Sequence, residues 1–139
     1  PVYVDFGYNI SLGDNSFVNM HCTFLDTGRI TIGDRTLLGP DVKIYTAIHP
    51  MDCADRFWRE PDGTVAVKTR TLPVTIGDDT WIGGGSVILP GVTIGDNVVI
   101  GAGSVVTKSI PDHAIAGGVP CQILKWNPPL SHQTEQDGG

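Results

Sequence analysis

The sequence predicts an all-β solenoid, in which short strands wind into triangular coils that stack as a parallel β-helix. Three observations carry that prediction. An apolar residue returns at every sixth position through most of the chain. Glycine follows it at many of those positions, and Asp or Asn commonly follows the glycine.

The period is plainest in the second half. Ile76, Ile82, Ile88, Ile94, Ile100 and Val106 are six apart, with Gly77, Gly83, Gly95 and Gly101 after four of them. Upstream, Phe6, Leu12, Val18 and Phe24 hold the same step, as do Ile32, Leu38 and Ile44. Phe24 to Ile32 is a step of eight, so two residues are inserted there. Ile44 to Ile76 is thirty-two, read as five hexads plus two, and regularity fails in that interval. A helical stripe recurs at 3.6 residues and a strand at 2. Six suits a short strand followed by a tight turn, three to a coil. Ile76 is then expected to stack on Ile94, Ile82 on Ile100 and Ile88 on Val106, each coil burying its apolar face only against its neighbours. The glycines are expected to relieve the turns, where Asp and Asn also tolerate the left-handed region.

A chain of 139 residues is enough for one domain with a core. The coils are expected over residues 1–126, interrupted at about 46–73. A loop this long inside a compact repeat is uncommon and often functional. Phe57 and Trp58 lie in it and are costly to leave in water, so it is expected to pack against something, such as another subunit; the alternative is a flap without a catalytic part. The hexad weakens over 109–126, which reads as a short C-terminal cap. The polar stretch 127–139 is expected to be a disordered tail.

Composition excludes several function classes. The net charge of −6 argues against nucleic acid as partner, since phosphate contacts want a basic surface. No apolar run approaches the ~20 residues of a membrane span, and no signal peptide is visible. Cys22, Cys53 and Cys121 are odd in number and widely spaced, a poor disulfide framework. Together these features point to a reducing, cytoplasmic setting. Each cysteine reads as a small buried hydrophobe.

Four histidines are candidates for chemistry: His21, His49, His113 and His132. His132 sits in the polar tail, and His113 in a turn facing solvent. His49, in Thr46-Ala47-Ile48-His49-Pro50, stands where regular coils give way to the long loop. An imidazole at such a rim suits a general base working near neutral pH; a structural or surface histidine is the other reading. A zinc site at a subunit interface could draw on His21 and His49 but lacks a third histidine near the loop, so no metal is expected. Gly83-Gly84-Gly85 lacks the Lys-Ser/Thr that completes a phosphate cradle. Ser86 and Ser104 occupy equivalent turn positions that suit small residues.

Several motifs taken together carry a family resemblance. They are Thr46-Ala47-Ile48-His49-Pro50, Trp81-Ile82-Gly83-Gly84, Leu89 through Asn97, Gly101 through Lys108, and Gly118-Val119-Pro120-Cys121. Over residues 1 to about 125 the chain resembles the maltose and galactoside O-acetyltransferases and their nodulation-factor relatives, enzymes of the hexapeptide-repeat type. The resemblance implies a left-handed helix, acetyl-CoA as donor, and a homotrimer with active sites between subunits.

Residue by residue, it implies that His49 is the general base and that Asn19 helps position acceptor and acetyl group. Asp5, Phe17 and Asp26 match positions at or near the acceptor pocket. Trp81, Gly84 and Ala102 match the groove for the pantetheine arm. Thr107, Lys108, Gln122 and Lys125 match the nucleotide end of CoA, with Gln122 standing where arginine is common. Direct transfer in a ternary complex is implied, with amide donors holding the oxyanion. The acceptor is expected to be a sugar or glycoside hydroxyl. The alternatives are another alcohol or amine, such as an antibiotic or natural product, and a β-helix scaffold without catalysis. Relatives carry a helical segment before the first coil, whereas this sequence is expected to lack one. The stretch after His49 is longer than the family's common spacing. Both departures touch the acceptor side.

Overall fold

The computed structural model describes residues 1–128. Three parallel sheets form the faces of a triangular prism. The first contains Tyr3–Val4, Thr23–Leu25, Lys43–Tyr45, Val87–Ile88 and Val105–Val106. The second contains Ile10–Leu12, Ile30–Ile32, Val74–Ile76 and Thr93–Ile94. The third contains Phe17–Val18, Leu37–Leu38, Trp81–Ile82, Val99–Ile100 and Ala114–Gly117, with Gln122–Trp126 folded back antiparallel. The expected stacks form: Ile76 pairs with Ile94, Ile82 with Ile100 and Ile88 with Val106. Alternate side chains along the strands point inward, one or two apolar residues to a strand, and Ile30, Leu38, Ile44, Ile76, Ile82, Ile88, Ile94 and Ile100 are all buried. Each such burial stabilises by ~1.5–3 kcal/mol.

The three edges of the prism differ in chemistry. Between the second and third sheets runs an aspartate edge. Asp34 accepts the amide N–H of Asp14 at 2.8 Å, Asp78 that of Asp34 at 2.8 Å, Asp96 that of Asp78 at 2.7 Å, and Asp112 that of Asp96 at 2.7 Å. Behind them the hydroxyls of Ser16, Thr36 and Thr80 donate to the carbonyls of Gly33, Gly77 and Gly95 in the next coil. Between the third and first sheets runs a glycine edge, made of the turns 19–22, 39–42, 83–86, 101–104 and 117–121. Between the first and second sheets runs a loop edge.

The hexad glycines do a different job from the one expected. Gly33, Gly77 and Gly95 do not sit in the left-handed region. A Cβ on any of them would overlap the carboxylate of Asp78, Asp96 or Asp112 in the next coil. The left-handed residues come two positions later and are mostly not glycine: Asn15, Arg35, Asp79, Asn97 and His113, with φ between 51° and 65°. Asn and Asp tolerate that region best, and the fixed turn imposes it on Arg35 and His113.

Some expected positions shift. Val4, not Phe6, stacks on Phe24. Phe6 lies out in the turn and is exposed, because the first coil carries the same two-residue insertion as the second. The thirty-two-residue interval is a single corner, not five hexads: Ile32 pairs with Ile76, Leu38 with Ile82 and Ile44 with Ile88. Every insertion in the chain therefore falls on the loop edge. The prism continues past 109, since Ile110 bridges to Ile94 and Ala114 and Ala116 are buried, before the antiparallel return closes it. Asn127, assigned to the tail, is docked: its N–H donates to the His113 carbonyl at 2.6 Å and its side chain to the Asn97 carbonyl at 3.0 Å. Residues 129–139 of the expected tail, His132 among them, lie outside the described residues.

Close approach between coils predicts a contrast between two glycines. Gly77→Ala is expected to destabilise by ~1–3 kcal/mol through overpacking against the neighbouring coil. Gly101→Ala, whose Cβ would meet its nearest neighbour at 3.7 Å, is expected to stay within ~0.5 kcal/mol. Thermal melting of the two variants checks this, and equal losses would contradict it.

Candidate active site

The long insertion is a β-arm rooted on the loop edge. The Thr46 hydroxyl donates to the Leu25 carbonyl at 2.7 Å and accepts the Gly28 amide at 2.8 Å, which ties the root to the coil above. Ala47–Ile48 then pairs antiparallel with Arg70–Thr71. Farther out, Phe57–Arg59 pairs with Val65–Val67 around a turn containing Asp62 and Gly63. An Asp-Gly pair between alternating residues is a hairpin signal. Weighing it would have paired Phe57–Arg59 with Val65–Val67 from sequence, but Lys68 and Arg70 come beside His49 only because the register shifts between this hairpin and the root strands.

His49 leaves the end of the first of these strands. Its Nδ1 lies 2.9 Å from the Lys68 carbonyl oxygen, with the Thr69 hydroxyl at 3.4 Å. A carbonyl only accepts, so Nδ1 carries a proton, and in the neutral ring Nε2 keeps the lone pair. A short circuit holds this geometry. The Lys68 amide donates to the Arg56 carbonyl at 2.7 Å. The Arg56 guanidinium donates to the carbonyls of Pro50 at 3.0 Å and Met51 at 2.9 Å. Arg56 thus fixes the chain on both sides of the imidazole. The exposed ring opens onto a cleft of about 530 Å³ lined by Ile48, Pro50, Met51, Trp58, Lys68, Thr69 and Arg70. None of these lining residues was picked out from sequence as a site residue.

The other expected site residues fall on two different edges. On the loop edge with His49 lie Asp5 and Asp26 above it and Thr107 and Lys108 below it. On the glycine edge lie Asn19, Gly84 and Ala102. Asn19 is half-buried, and its side-chain oxygen accepts the Met20 amide at 2.7 Å. Phe17 and Trp81 point outward from the third sheet beside that edge. With Leu37 between them, 57%, 47% and 55% exposed, they form an apolar stripe. Gln122 and Lys125 are exposed on the antiparallel cap strand. The strands of the first sheet separate the two edges, so one chain does not bring Asn19 or Gly84 to His49.

Asp26 was expected at the acceptor pocket. Its side chain is fully buried, and its carboxylate accepts the amides of Phe6 at 2.8 Å, Gly7 at 2.8 Å and Asn9 at 3.1 Å. Burial alone would raise its pKa, but these donors outweigh it and hold the group below the usual carboxylate range. Asp26 therefore secures the exposed turn that carries Asp5, whose carboxylate accepts the Thr27 hydroxyl at 3.2 Å. Cys22 and Cys121 are buried, and that burial pushes both thiols up. Cys53 differs from expectation: it is exposed, in the 3-10 turn Cys53–Asp55 of the arm. Among the described residues no three His, Cys, Asp or Glu side chains converge as a metal site. No helix among them is long and apolar enough to cross a membrane.

Comparison with known proteins places this geometry. The profile of the bacterial transferase hexapeptide family (six repeats) matches residues 73–108. Nodulation protein L of Rhizobium meliloti is 49% identical over 123 residues, covering 88% of this chain and 63% of that protein. A maltose O-acetyltransferase from Clostridium difficile superposes with a TM-score of 0.82 at 51% identity, covering 92% of this chain and 64% of that one. A hexapeptide-repeat-containing acetyltransferase from Vibrio cholerae superposes at 0.82 and 41% identity, covering 92% and 68%. The Vibrio protein has also been solved with acetyl-CoA bound, and there the TM-score is 0.83. The chain spans slightly under two thirds of the nodulation protein and of the maltose enzyme.

The Asp26 carboxylate predicts an acid-sensitive turn. Because its folded pKa is depressed, its contribution is complete above the unfolded value near ~3.9 and is lost as pH falls through the folded one. Wild-type protein is expected to lose melting temperature steeply below about pH 4. Asp26→Asn should start lower at pH 7 and decline less. Parallel melting curves from pH 7 to pH 3 test this; an unchanged slope in the variant would contradict it.

Proposed function

We propose, from the premise that the chain belongs to the hexapeptide-repeat acetyltransferase family, that it transfers an acetyl group from acetyl-CoA to an acceptor hydroxyl with His49 as general base. Its fold is the family's left-handed parallel β-helix. The observation that carries the catalytic reading is the Nδ1 bond to the Lys68 carbonyl beside the cleft, which in the neutral ring leaves Nε2 to act as the base. That nitrogen would take the acceptor's hydroxyl proton as the oxygen attacks the thioester carbonyl. A C–O bond forms, and amide donors hold the oxyanion of the tetrahedral intermediate. The C–S bond then breaks, and the imidazolium returns its proton to the departing thiolate. The products are the acetyl ester and free CoA.

The split of candidate residues between two edges supports a trimer. A contact joining the loop edge of one chain to the glycine edge of the next is heterologous, and it closes when the rotation is one third of a turn. Asn19, Gly84 and Ala102 of a second copy would then face His49 of the first. The apolar stripe of Phe17, Leu37 and Trp81 borders the glycine edge, whereas the second sheet's outer row is Ser11, Thr31, Thr75 and Thr93, suited to solvent. In this reading the pantetheine arm follows Trp81, Gly84 and Ala102 toward Thr107, Lys108, Gln122 and Lys125. Asp5 and Phe17 border the acceptor. Three free thiols fit a cytoplasmic setting. A sugar or glycoside hydroxyl is the acceptor class that the maltose enzyme's resemblance favours. Trp58, standing in the cleft on the arm, keeps a non-sugar alcohol as the second reading.

Two experiments test this. His49→Ala should lower kcat/KM for acetyl transfer by about 10³-fold, within the usual range for a general base, and still assemble like wild type. Free-thiol release and size-exclusion mass measurement report both, and near-normal turnover would refute the assignment. Co-expressing His49→Ala with Asn19→Ala should restore about a quarter of wild-type activity, because random assembly leaves one interface in four with both residues intact. No recovery from mixed trimers would place both residues in one chain's site.

A further inference from the structure

The cleft beside His49 is charged in a way the rest of the chain is not. The chain carries a net charge of −6, yet the lining includes two cations, Lys68 and Arg70, and no carboxylate. The arm contains acids, but three of its four are engaged within it. Asp52 accepts the Ala54 amide, Glu60 the Trp58 indole N–H, and Asp62 the amide and hydroxyl of Thr64. Its other two arginines are likewise engaged, Arg56 with the Pro50 and Met51 carbonyls and Arg59 with that of Gly63. Lys68 and Arg70 are the exceptions. Neither side chain makes a hydrogen bond or ion pair among the described residues. Strand pairing fixes where they stand, since Arg70 lies opposite Ile48 and the Lys68 carbonyl holds the imidazole.

Two unpaired cations at the mouth of an apolar cleft, within two residues of the base's own anchor, form a receptor for an oxyanion. Arginine presents a planar fork that suits a carboxylate, sulfate or phosphate, and lysine adds a point charge. Trp58 and Met51 supply a flat, apolar wall beside them. Resting on the acetyltransferase reading above, we infer that the acceptor itself is anionic: a hydroxyl compound whose carboxylate, sulfate or phosphate is held by Lys68 and Arg70 while its hydroxyl faces Nε2 of His49. The other source of an oxyanion in this reaction is CoA, whose phosphates the reading above places at Thr107, Lys108 and the cap.

A matched pair of acceptors tests the inference: p-nitrophenyl β-glucuronide and p-nitrophenyl β-xyloside, which share the same three ring hydroxyls and differ by one carboxylate. The wild-type enzyme should favour the glucuronide by at least about tenfold in kcat/KM, as one charge-assisted contact allows. In Lys68→Gln/Arg70→Gln that ratio should fall to about one, with the KM for acetyl-CoA moving less than twofold. Both substitutions are at exposed side chains and leave the backbone anchor of His49 in place. Preference for the xyloside in wild type would overturn the inference. So would a rise in the KM for acetyl-CoA that matches the loss, which would assign the cations to CoA. If neither compound is acetylated, calorimetric titration of the same pair decides. Tighter glucuronide binding that is lost in the double variant upholds the cleft while sinking a ring hydroxyl of such glycosides as the acceptor, and equal binding overturns the cleft itself.

Discussion

Consecutive coils lie one strand spacing apart, about 4.8 Å, and at the aspartate-edge corners nothing larger than a hydrogen fits at Gly33, Gly77 and Gly95. That distance dictates which residues stand where. Gly33, Gly77 and Gly95 are required because the carboxylate of the next coil fills the space a Cβ would need. The same carboxylates accept the amide N–H groups that the turn leaves unpaired. Steric demand and hydrogen-bond demand are thus met by one pair of residues, glycine in one coil and aspartate in the next. Inside the prism the spacing stacks isoleucine on isoleucine, and a small core is completed without a helix packed against any sheet.

A lattice so exacting on two edges leaves a single place for variation. The first and second coils each add two residues at the loop edge, and the third adds the whole arm. The paired strands on either side are not displaced, because the chain leaves and re-enters at adjacent positions, bound by the Thr46 hydroxyl and by the Leu72 amide on the Thr46 carbonyl. Chemistry gathers at this edge for the same reason. His49 needs an irregular backbone to escape the inward–outward alternation of the strands, and the Lys68 carbonyl that orients it is free only because the returning strand pairs short of it.

Much of the scaffold was legible in the sequence. The isoleucine period registers 76–106 correctly, because in those coils each turn is minimal and sequence spacing equals structural spacing. Phe6 was misplaced for a physical reason. A two-residue insertion present in both of the first two coils leaves the stacking partner twenty residues away rather than eighteen, and Val4 holds no signal stronger than Phe6 to reveal it. Asp26 was legible only as a match to the family's acceptor side and not as a buried acid, because its three amide partners belong to the preceding coil. Asn19 and His49 could be named from their motifs. Their placement on separate edges follows from the winding and not from their spacing.

The arm was the least legible part, and it governs what the site can accept. Residues 65–71 alternate as Val-Ala-Val-Lys-Thr-Arg-Thr, which looks like an ordinary edge strand with a polar face. Only the pairing with Ile48 and Phe57–Arg59 turns that face toward the imidazole. Charge then acts locally against the global trend. An acidic molecule repels anions at long range, but screening shortens that repulsion to roughly 8 Å at physiological salt. Within that distance a bound oxyanion senses Lys68 and Arg70 more than the aspartate edge, which lies at the far side of the second sheet. A basic cleft on an acidic solenoid is therefore electrostatically coherent, and the arm that builds it is the one element of the fold that the coil lattice leaves free to change.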